Sequence, residues 1–236
     1  MLAALGLSAT AAGFAGMSAS ASRGLGLVRE AGTTAESQRF AFDRRVWQAV
    51  AVDDVFPPVY RSTTAAPLLG AEREFTRIGV APLAGCAGAL DPGLVRLLAA
   101  HSCGPVLRAD YTDATRTLVA TVGVAILGTR PADERDLNAA TIDQHAELRA
   151  RALSLPGTAA AGFEDAQIVA FRVFADTDAP FLTFAVVGFS DGRPASADAG
   201  QDALNESGAQ LTAIDLEDMV DRRIGAAAAA LRARSG

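Results

Sequence analysis

The sequence contains no lysine, only two cysteines, two histidines and one tryptophan, and these shortages limit what the protein can do. All 21 basic residues are arginine, against 27 acidic residues, and the formal net charge is −6. The isoelectric point is near 5.0. Proteins that bind nucleic acid or anionic membrane surfaces present basic patches, and this balance argues against one. The composition therefore predicts no nucleic-acid partner.

Several catalytic and cofactor-binding patterns are also missing. The two cysteines do not form a C-x-x-C motif and no second pair exists, which excludes a zinc ribbon or a thioredoxin-type centre. No glycine-rich phosphate loop and no glycine-x-serine-x-glycine elbow occurs. We therefore assign no catalytic, cofactor-binding or metal-binding residue and no cofactor from the sequence.

The stretch from Gly85 to Gly104 contains Cys86, His101 and Cys103. A metal site would need more ligands, and the only other histidine, His145, lies within a predicted helix. A cysteine nucleophile would need a base oriented by a third group. A helix over 92–102 is about 15 Å long, and the extended run before it covers a similar distance. This geometry favours a Cys86–Cys103 disulfide, with two buried free thiols as the alternative.

Acidic residues occur in clusters that could also carry chemistry. Each cluster lies near a predicted helix end or turn, where carboxylates cap backbone groups and are solvated. We interpret them as capping or solvated groups; the clusters are Asp53-Asp54, Asp133 with Glu134 and Asp136, Glu164-Asp165, and Asp215 with Glu217 and Asp218.

The first 22 residues carry no charge. A helix of that length can span a bilayer, and Ala19 to Ala21 form an A-x-A cleavage pattern. We predict a signal-like or membrane-anchor segment over 1–22, a linker over 23–38 and a single domain over 39–236. With the disulfide, this predicts a cell-membrane protein with an extracytoplasmic domain, attached through the segment if it is not cleaved. A secreted protein, or a cytoplasmic one with an N-terminal packing helix, is the alternative.

The hydrophobic pattern predicts alternating helices and antiparallel strand pairs. The predicted elements are a strand at 75–83, a helix that begins at Pro92, a hairpin from 106–113 and 117–127, a helix over 132–155, a hairpin at 166–191 and a helix from 209. We predict an α+β fold: a mostly antiparallel sheet with helices on one face, as in a ferredoxin-like plait or a related two-layer sandwich.

The middle of the chain resembles a group of uncharacterised actinobacterial membrane-associated proteins. The resemblance is carried by Trp47 before "VFPP", by Cys86, and by "SCGPVLRADYTD" and "TLVATVGVAIL". It implies one N-terminal membrane segment followed by one extracytoplasmic domain. No activity comes with it.

Two classes of function follow from these observations. The first is a non-enzymatic accessory or interaction domain, exported or membrane-tethered, that binds an envelope protein or a small ligand. The second is a plait-type enzyme that acts on a small organic substrate, with His101 or His145 as the proton carrier. An apolar cavity lined by histidine or arginine would favour the enzyme, and a filled sheet–helix interface would favour the binding domain.

Overall fold

A computed structural model describes residues 35–62, 73–128, 146–176, 178–193 and 208–235. The contacts divide the chain into two units, residues 1–41 and 42–236. In the first unit, the described residues 35–41 are helical and belong to a helix, α1, over 35–43. The predicted membrane segment at 1–22 lies outside the described residues. Everything below concerns the second unit.

Seven strands of the second unit form one sheet in the order β1-β2-β4-β5-β7-β6, with β3 paired to β4. Every pair among them is antiparallel. The strands are β1 (Val59–Arg61), β2 (Glu74–Val80), β3 (Ala84–Gly85), β4 (Pro105–Asp113), β5 (Leu118–Ile126), β6 (Ile168–Ala175) and β7 (Phe181–Phe189). The predicted α+β class with a mostly antiparallel sheet is confirmed.

The helices differ greatly in length. The short ones are α2 (Val52–Val55), α3 (Cys86–Ala89) and α4 (Pro92–Leu97), and a 3₁₀ turn over Leu98–His101 continues α4. The C-terminal helix, α5 (Gly208–Ser235), has 28 residues. Among the described residues, none of the helices combines the length and the apolarity that crossing a membrane requires.

Strands β4, β5 and β7 lie in the middle of the strand order, and most of their residues on both faces are buried. Most residues on both faces of β5 are apolar, as is typical of a central strand. Both predicted hairpins are present, with Ala109 opposite Val122 in the first and Val173 opposite Phe184 in the second. In the first turn, the Asp113 carboxylate accepts the Leu118 N–H at 2.8 Å, which fixes the register.

The described part of the connection from β5 to β6 lies over one face of the sheet. Strand β7 lies between β5 and β6 and is antiparallel to both, so β5 and β6 run parallel. A parallel pair needs such a crossover. Here its described part, residues 146–167, includes Ala150, Ala160 and Phe163, which belong to the apolar core on that face.

Long helix α5 covers the other face, which we call the helix face. Leu216, Met219 and Val220 of α5 form one core with Tyr111 of β4 and Val122 of β5. The residues of α5 that are buried here recur at three- and four-residue steps, as an amphipathic helix requires. The helix face is therefore covered by α5 together with residues 46–56, whose Val46, Val55 and Phe56 belong to the same core.

The opposite face, the clasp face, is covered by short pieces. Leu90, Leu94 and Leu98 from the region of α3 and α4 join a second core with Val119 and Phe184 of the sheet. All three leucines are fully buried. Pro92 at the first turn of α4 follows the predicted helix start at Asp91. This face depends on several elements that are too short to be stable alone.

The predicted helix over 132–155 is wrong at its C-terminal end. Residues 149–155 are irregular, and Ala150 forms an antiparallel bridge with Leu90. Asp91 N–H donates to the Arg149 carbonyl at 3.0 Å, and Arg151 N–H donates to Ala89 at 2.9 Å. These tertiary hydrogen bonds replace the helical ones. Residues 132–145 of the predicted helix lie outside the described residues. The first described residues after them, Ala146–Leu148, form a short 3₁₀ turn.

Candidate functional site

The two cysteines meet on the clasp face at disulfide distance. Their Cα atoms are 6.3 Å apart, within the range that a disulfide spans. Cys86 begins α3, and Cys103 follows Ser102, whose φ of 49° ends the 3₁₀ turn. The pair thus closes the loop that presents Leu90 and Leu94 to the sheet, which is a structural role.

The structure describes one of the two histidines, His101. His101 is half-buried at the end of the 3₁₀ turn, and its carbonyl accepts the Gly128 N–H at 2.9 Å. It does not line the three cavities considered below. His145 lies outside the described residues. Within the described ranges, no three His, Cys, Asp or Glu side chains converge as metal ligands.

At least three cavities have walls made of described residues. One of about 270 Å³ lies between Phe42 and Leu231. One of about 440 Å³ lies beside the β4–β5 turn and is lined by Thr76, Thr112 and Thr158 among others. Between α5 and the centre of the sheet, the described residues instead form one packed core, so the sheet–helix interface is filled.

The third cavity, of about 150 Å³, is the most apolar in character, and we call it the apolar groove. Its walls come from the segment around α2 and from the strand ends that face it. They are Val50, Ala51, Val52, Val55, Phe56, Val80, Ala81, Leu83, Leu107 and Arg108.

Hydrogen bonds hold the α2 wall of the groove in place. The Arg77 guanidinium donates to the Phe56 carbonyl and forms an ion pair of 2.8 Å with Asp53. The Tyr111 hydroxyl donates to the Pro57 carbonyl at 2.7 Å. This chain segment has little regular structure, so these contacts replace the helical or ladder bonds it lacks. The groove is therefore preformed.

Large apolar side chains are exposed at this place. Val52 is 45% exposed, Val80 38% and Leu83 52%, and all three line the groove. Among the described residues only one other large apolar side chain is exposed, Val59 of β1 at 45%. Because these exposed apolar side chains gather around one cavity, the groove is the candidate binding site.

The acidic residues of α5 contradict the interpretation made from the sequence. Asp215 and Glu217 are buried, each 1% exposed, whereas Asp218 is 45% exposed as predicted. Asp215 pairs with the Arg73 guanidinium and accepts the Ser62 hydroxyl at 2.6 Å. These two carboxylates are part of the tertiary packing. They neither cap the helix nor face the solvent.

Glu217 faces β6 and β7 on the helix face. Its Oε1 accepts the Thr183 hydroxyl, and its Oε2 lies 3.6 Å from Nε of Arg172. Burial raises the pKa of Glu217 to about 7, although the Thr183 bond opposes the shift. One turn later, burial and the nearby Asp176 raise the pKa of Asp221 to about 6.

A third buried acid, Asp110, lies in the sheet itself. Its Oδ1 accepts the Thr121 hydroxyl at 2.8 Å, and Thr121 Oγ1 accepts the Leu153 N–H at 2.9 Å. This chain of bonds holds residues 146–167, which we call the covering segment, on the clasp face. Burial raises the pKa of Asp110 to about 7, and Arg108 on the same strand opposes the shift.

Of the remaining clusters that are described, Asp53-Asp54 and Glu164 agree with their interpretation, whereas Asp165 makes a tertiary contact. Asp53 is exposed and paired with Arg77. Glu164 N–H donates to the Gln167 side chain at 2.9 Å in a capping turn, and Asp165 accepts the Ala152 N–H at 2.8 Å. The cluster Asp133, Glu134 and Asp136 lies outside the described residues.

Sequence reasoning missed the buried acids although a signal existed. Glu217 lies four residues after Ala213 and three before Val220, and both are fully buried on the same face of α5. An acid on the apolar stripe of a helix is a buried acid. For the apolar groove no comparable signal existed, because its walls come from distant parts of the chain.

Comparisons of the chain with protein-family models, with curated proteins and with solved structures gave no match.

Proposed function

We propose that this protein is a non-enzymatic interaction domain, exported and tethered at the cell membrane, which binds an apolar segment of another envelope protein in the apolar groove. The observation that carries the proposal is the concentration of Val52, Val80 and Leu83, three exposed apolar side chains, around one preformed cavity.

The size of the groove favours a protein partner over a small ligand. Sites for drug-sized molecules enclose about 300–1,000 Å³, whereas the groove has about 150 Å³. That volume accepts one or two apolar side chains. Anchors of this kind, inserted into a pocket and surrounded by a rim that excludes water, dominate protein–protein binding.

The filled interface between α5 and the sheet also supports a binding domain rather than the plait-type enzyme. An organic substrate would need a cavity in that interface, and the described residues pack it with apolar side chains. Arg108 does line the groove, and this is the one observation that favours the enzyme. His101 does not line it, and His145 lies outside the described residues.

The extracytoplasmic location is supported by the cysteine pair at disulfide distance, because disulfides persist in oxidising compartments and are rare in the cytosol. Fractionation of the native host, with thiol labelling before and after reduction, tests it. We expect the protein in the envelope fraction, with thiols labelled only after reduction. Labelling before reduction, in the soluble fraction, would refute export.

The groove is tested with a photo-crosslinking residue placed at Leu83 or, as the matched control, at Val59. Both positions are exposed and apolar, but only Leu83 lines the groove. In intact host cells we expect one discrete adduct of higher mass from position 83, absent from position 59. Adding Val52→Asp, at the groove wall, should abolish it. The same adducts from both positions, or none from 83, would contradict a groove-bound protein partner.

A further inference from the structure

We propose that the contact of α5 with strands β6 and β7 is a proton-sensitive device: Glu217 holds a proton while α5 is seated on the sheet, and loss of that proton loosens the middle of the helix. The proposal concerns the helix face and does not depend on the groove.

The first support is the position of the carboxyl group. Glu217 lies on the buried stripe of α5 and is 1% exposed on its side chain. Its Oε1 is bonded to the Thr183 hydroxyl, but its Oε2 accepts no hydrogen bond from the described residues. A buried carboxylate that lacks a hydrogen bond to one oxygen carries a large free-energy cost of desolvation. The protonated, neutral acid carries a much smaller cost.

The second support is the balance of charge around the group. On α5 itself, Asp218 and Asp221 both raise the pKa of Glu217 by repulsion. From β6, the only facing charge is Arg172, which is about one-third exposed and 3.6 Å away. Strands β5 and β7, which pack against α5, contain no ionisable residue. One partly hydrated cation thus faces several carboxylates.

The third support is a second acid, Asp221, whose negative charge also favours the protonated form of Glu217. Asp221 follows Glu217 by four residues, so both side chains lie on one side of the helix, where like charges repel. Its Oδ1 is buried and accepts no hydrogen bond from the described residues. Asp176, at the end of β6, adds further negative charge, and Arg222 opposes it.

The direction of the pH dependence follows from these shifts. The pKa of Glu217 is about 7 in the folded domain against an ordinary value of 4.5. The folded state therefore binds a proton that the unfolded chain has released between these two values. The stabilisation is fully present below about pH 4.5 and is lost as the pH rises through about 7. In that window each such proton changes the folded-to-unfolded ratio about tenfold per pH unit.

The test is urea unfolding of the full chain from pH 5 to pH 8, followed by the fluorescence of Trp47, the single tryptophan, which packs against the helix-face core. We expect the folded-to-unfolded ratio to fall as the pH rises. Between pH 5 and about pH 7, Glu217→Gln, which keeps a partner for Thr183, should reduce this dependence by about tenfold per pH unit. An unchanged dependence would overturn the proposal.

Two control variants separate Glu217 from other acids. Asp191→Asn, at an exposed turn, should leave the pH dependence as it is. Asp110→Asn removes the buried acid of the clasp face and should also reduce the pH dependence of the folded-to-unfolded ratio. Its effect should add to that of Glu217→Gln in the double variant. Equal effects of Asp191→Asn and Glu217→Gln would contradict a specific role of Glu217.

Two measurements on the unchanged chain keep the proposal testable if Glu217→Gln does not fold. Carbon-13 NMR of the Glu217 carboxyl should give a titration midpoint near 7, and a midpoint at the ordinary 4.5 would overturn the proposal. Amide hydrogen exchange, corrected for the intrinsic rate, should show protection around Glu217 falling between pH 6 and pH 8 more than around Leu94. Equal changes at both places would refute a local loosening of α5.

Discussion

The two faces of the sheet are covered in opposite ways. On the helix face one 28-residue helix is the main cover, and Val46, Val55 and Phe56 join it in the same core. Glu217 of that helix keeps one oxygen without a hydrogen bond from the described residues. The clasp face is covered by helices of four and six residues and by an irregular segment. There a cysteine pair and a set of polar bonds accompany the short pieces. A long helix holds itself together, whereas short elements need specific ties.

The largest effect is expected from shortening one buried leucine on each face. Leu216 of α5 and Leu94 of α4 are both fully buried. Leu216→Ala and Leu94→Ala should each lower the free energy of unfolding by about 2–5 kcal/mol, from lost burial and the cavity left behind. Urea unfolding measures both. A loss below about 1 kcal/mol for Leu94→Ala would show that the clasp face is a loose cover, and the comparison would fail.

The next effect distinguishes the faces directly. Replacing both cysteines (Cys86→Ala with Cys103→Ala) should lower the free energy of unfolding by about 3 kcal/mol, because a closed loop of this size restricts the unfolded chain. Reduction of the unchanged protein should have a similar effect. Amide exchange should then increase more over α3 and α4, which the disulfide joins locally, than over the middle of α5. An equal increase over both faces would show that the disulfide does not act on one face.

Local signals in the sequence predicted most of the regular structure. Both hairpins, α4 after Asp91-Pro92 and the C-terminal helix follow from periodicity and capping residues close to each other in the chain. Burial on both faces of β5 followed from its continuous apolar run. The Cys86–Cys103 contact could be anticipated because it spans one short helix whose length is known.

What could not be predicted depends on distant partners. The Leu148 to Leu155 repeat is typical of a helix, but residues 149–151 form backbone bonds with 89–91, and tertiary pairing overrode the propensity. Strand β1 has three residues and exists through its register with β2. The apolar groove joins residues near 50, 80 and 107. No single window of the sequence contains such information.

A smaller effect compares two threonines that each serve a buried acid. Thr121 donates to Asp110 and accepts the Leu153 N–H, whereas Thr183 donates to Glu217. Thr121→Val leaves two groups unsatisfied and should cost about 1–3 kcal/mol. Thr183→Val should cost less. Because each hydroxyl bond lowers the pKa of its acid, each variant should also move the carboxyl titration by NMR to higher pH.

If Thr183→Val proved the more costly variant, the helix face would depend on specific polar bonds as much as the clasp face does. That outcome would remove the distinction between a cover held by one long helix and a cover held by ties. A titration of Asp110 that stayed unchanged in Thr121→Val would contradict the bond chain that joins Asp110 to the covering segment.

The smallest effect concerns ion pairs. Asp91 lies 3.1 Å from Nε of Arg149 on the clasp face, and both side chains are mostly buried. Asp218 lies 3.8 Å from Arg222 on α5, with both exposed. Asp91→Asn should cost about 1 kcal/mol and Asp218→Asn about 0.3 kcal/mol or less, because water screens the exposed pair. Unfolding at low and high salt measures both. If Asp91→Asn were as neutral as Asp218→Asn, the backbone bonds between 89–91 and 149–151 would alone hold the covering segment, and its side chains would contribute only packing.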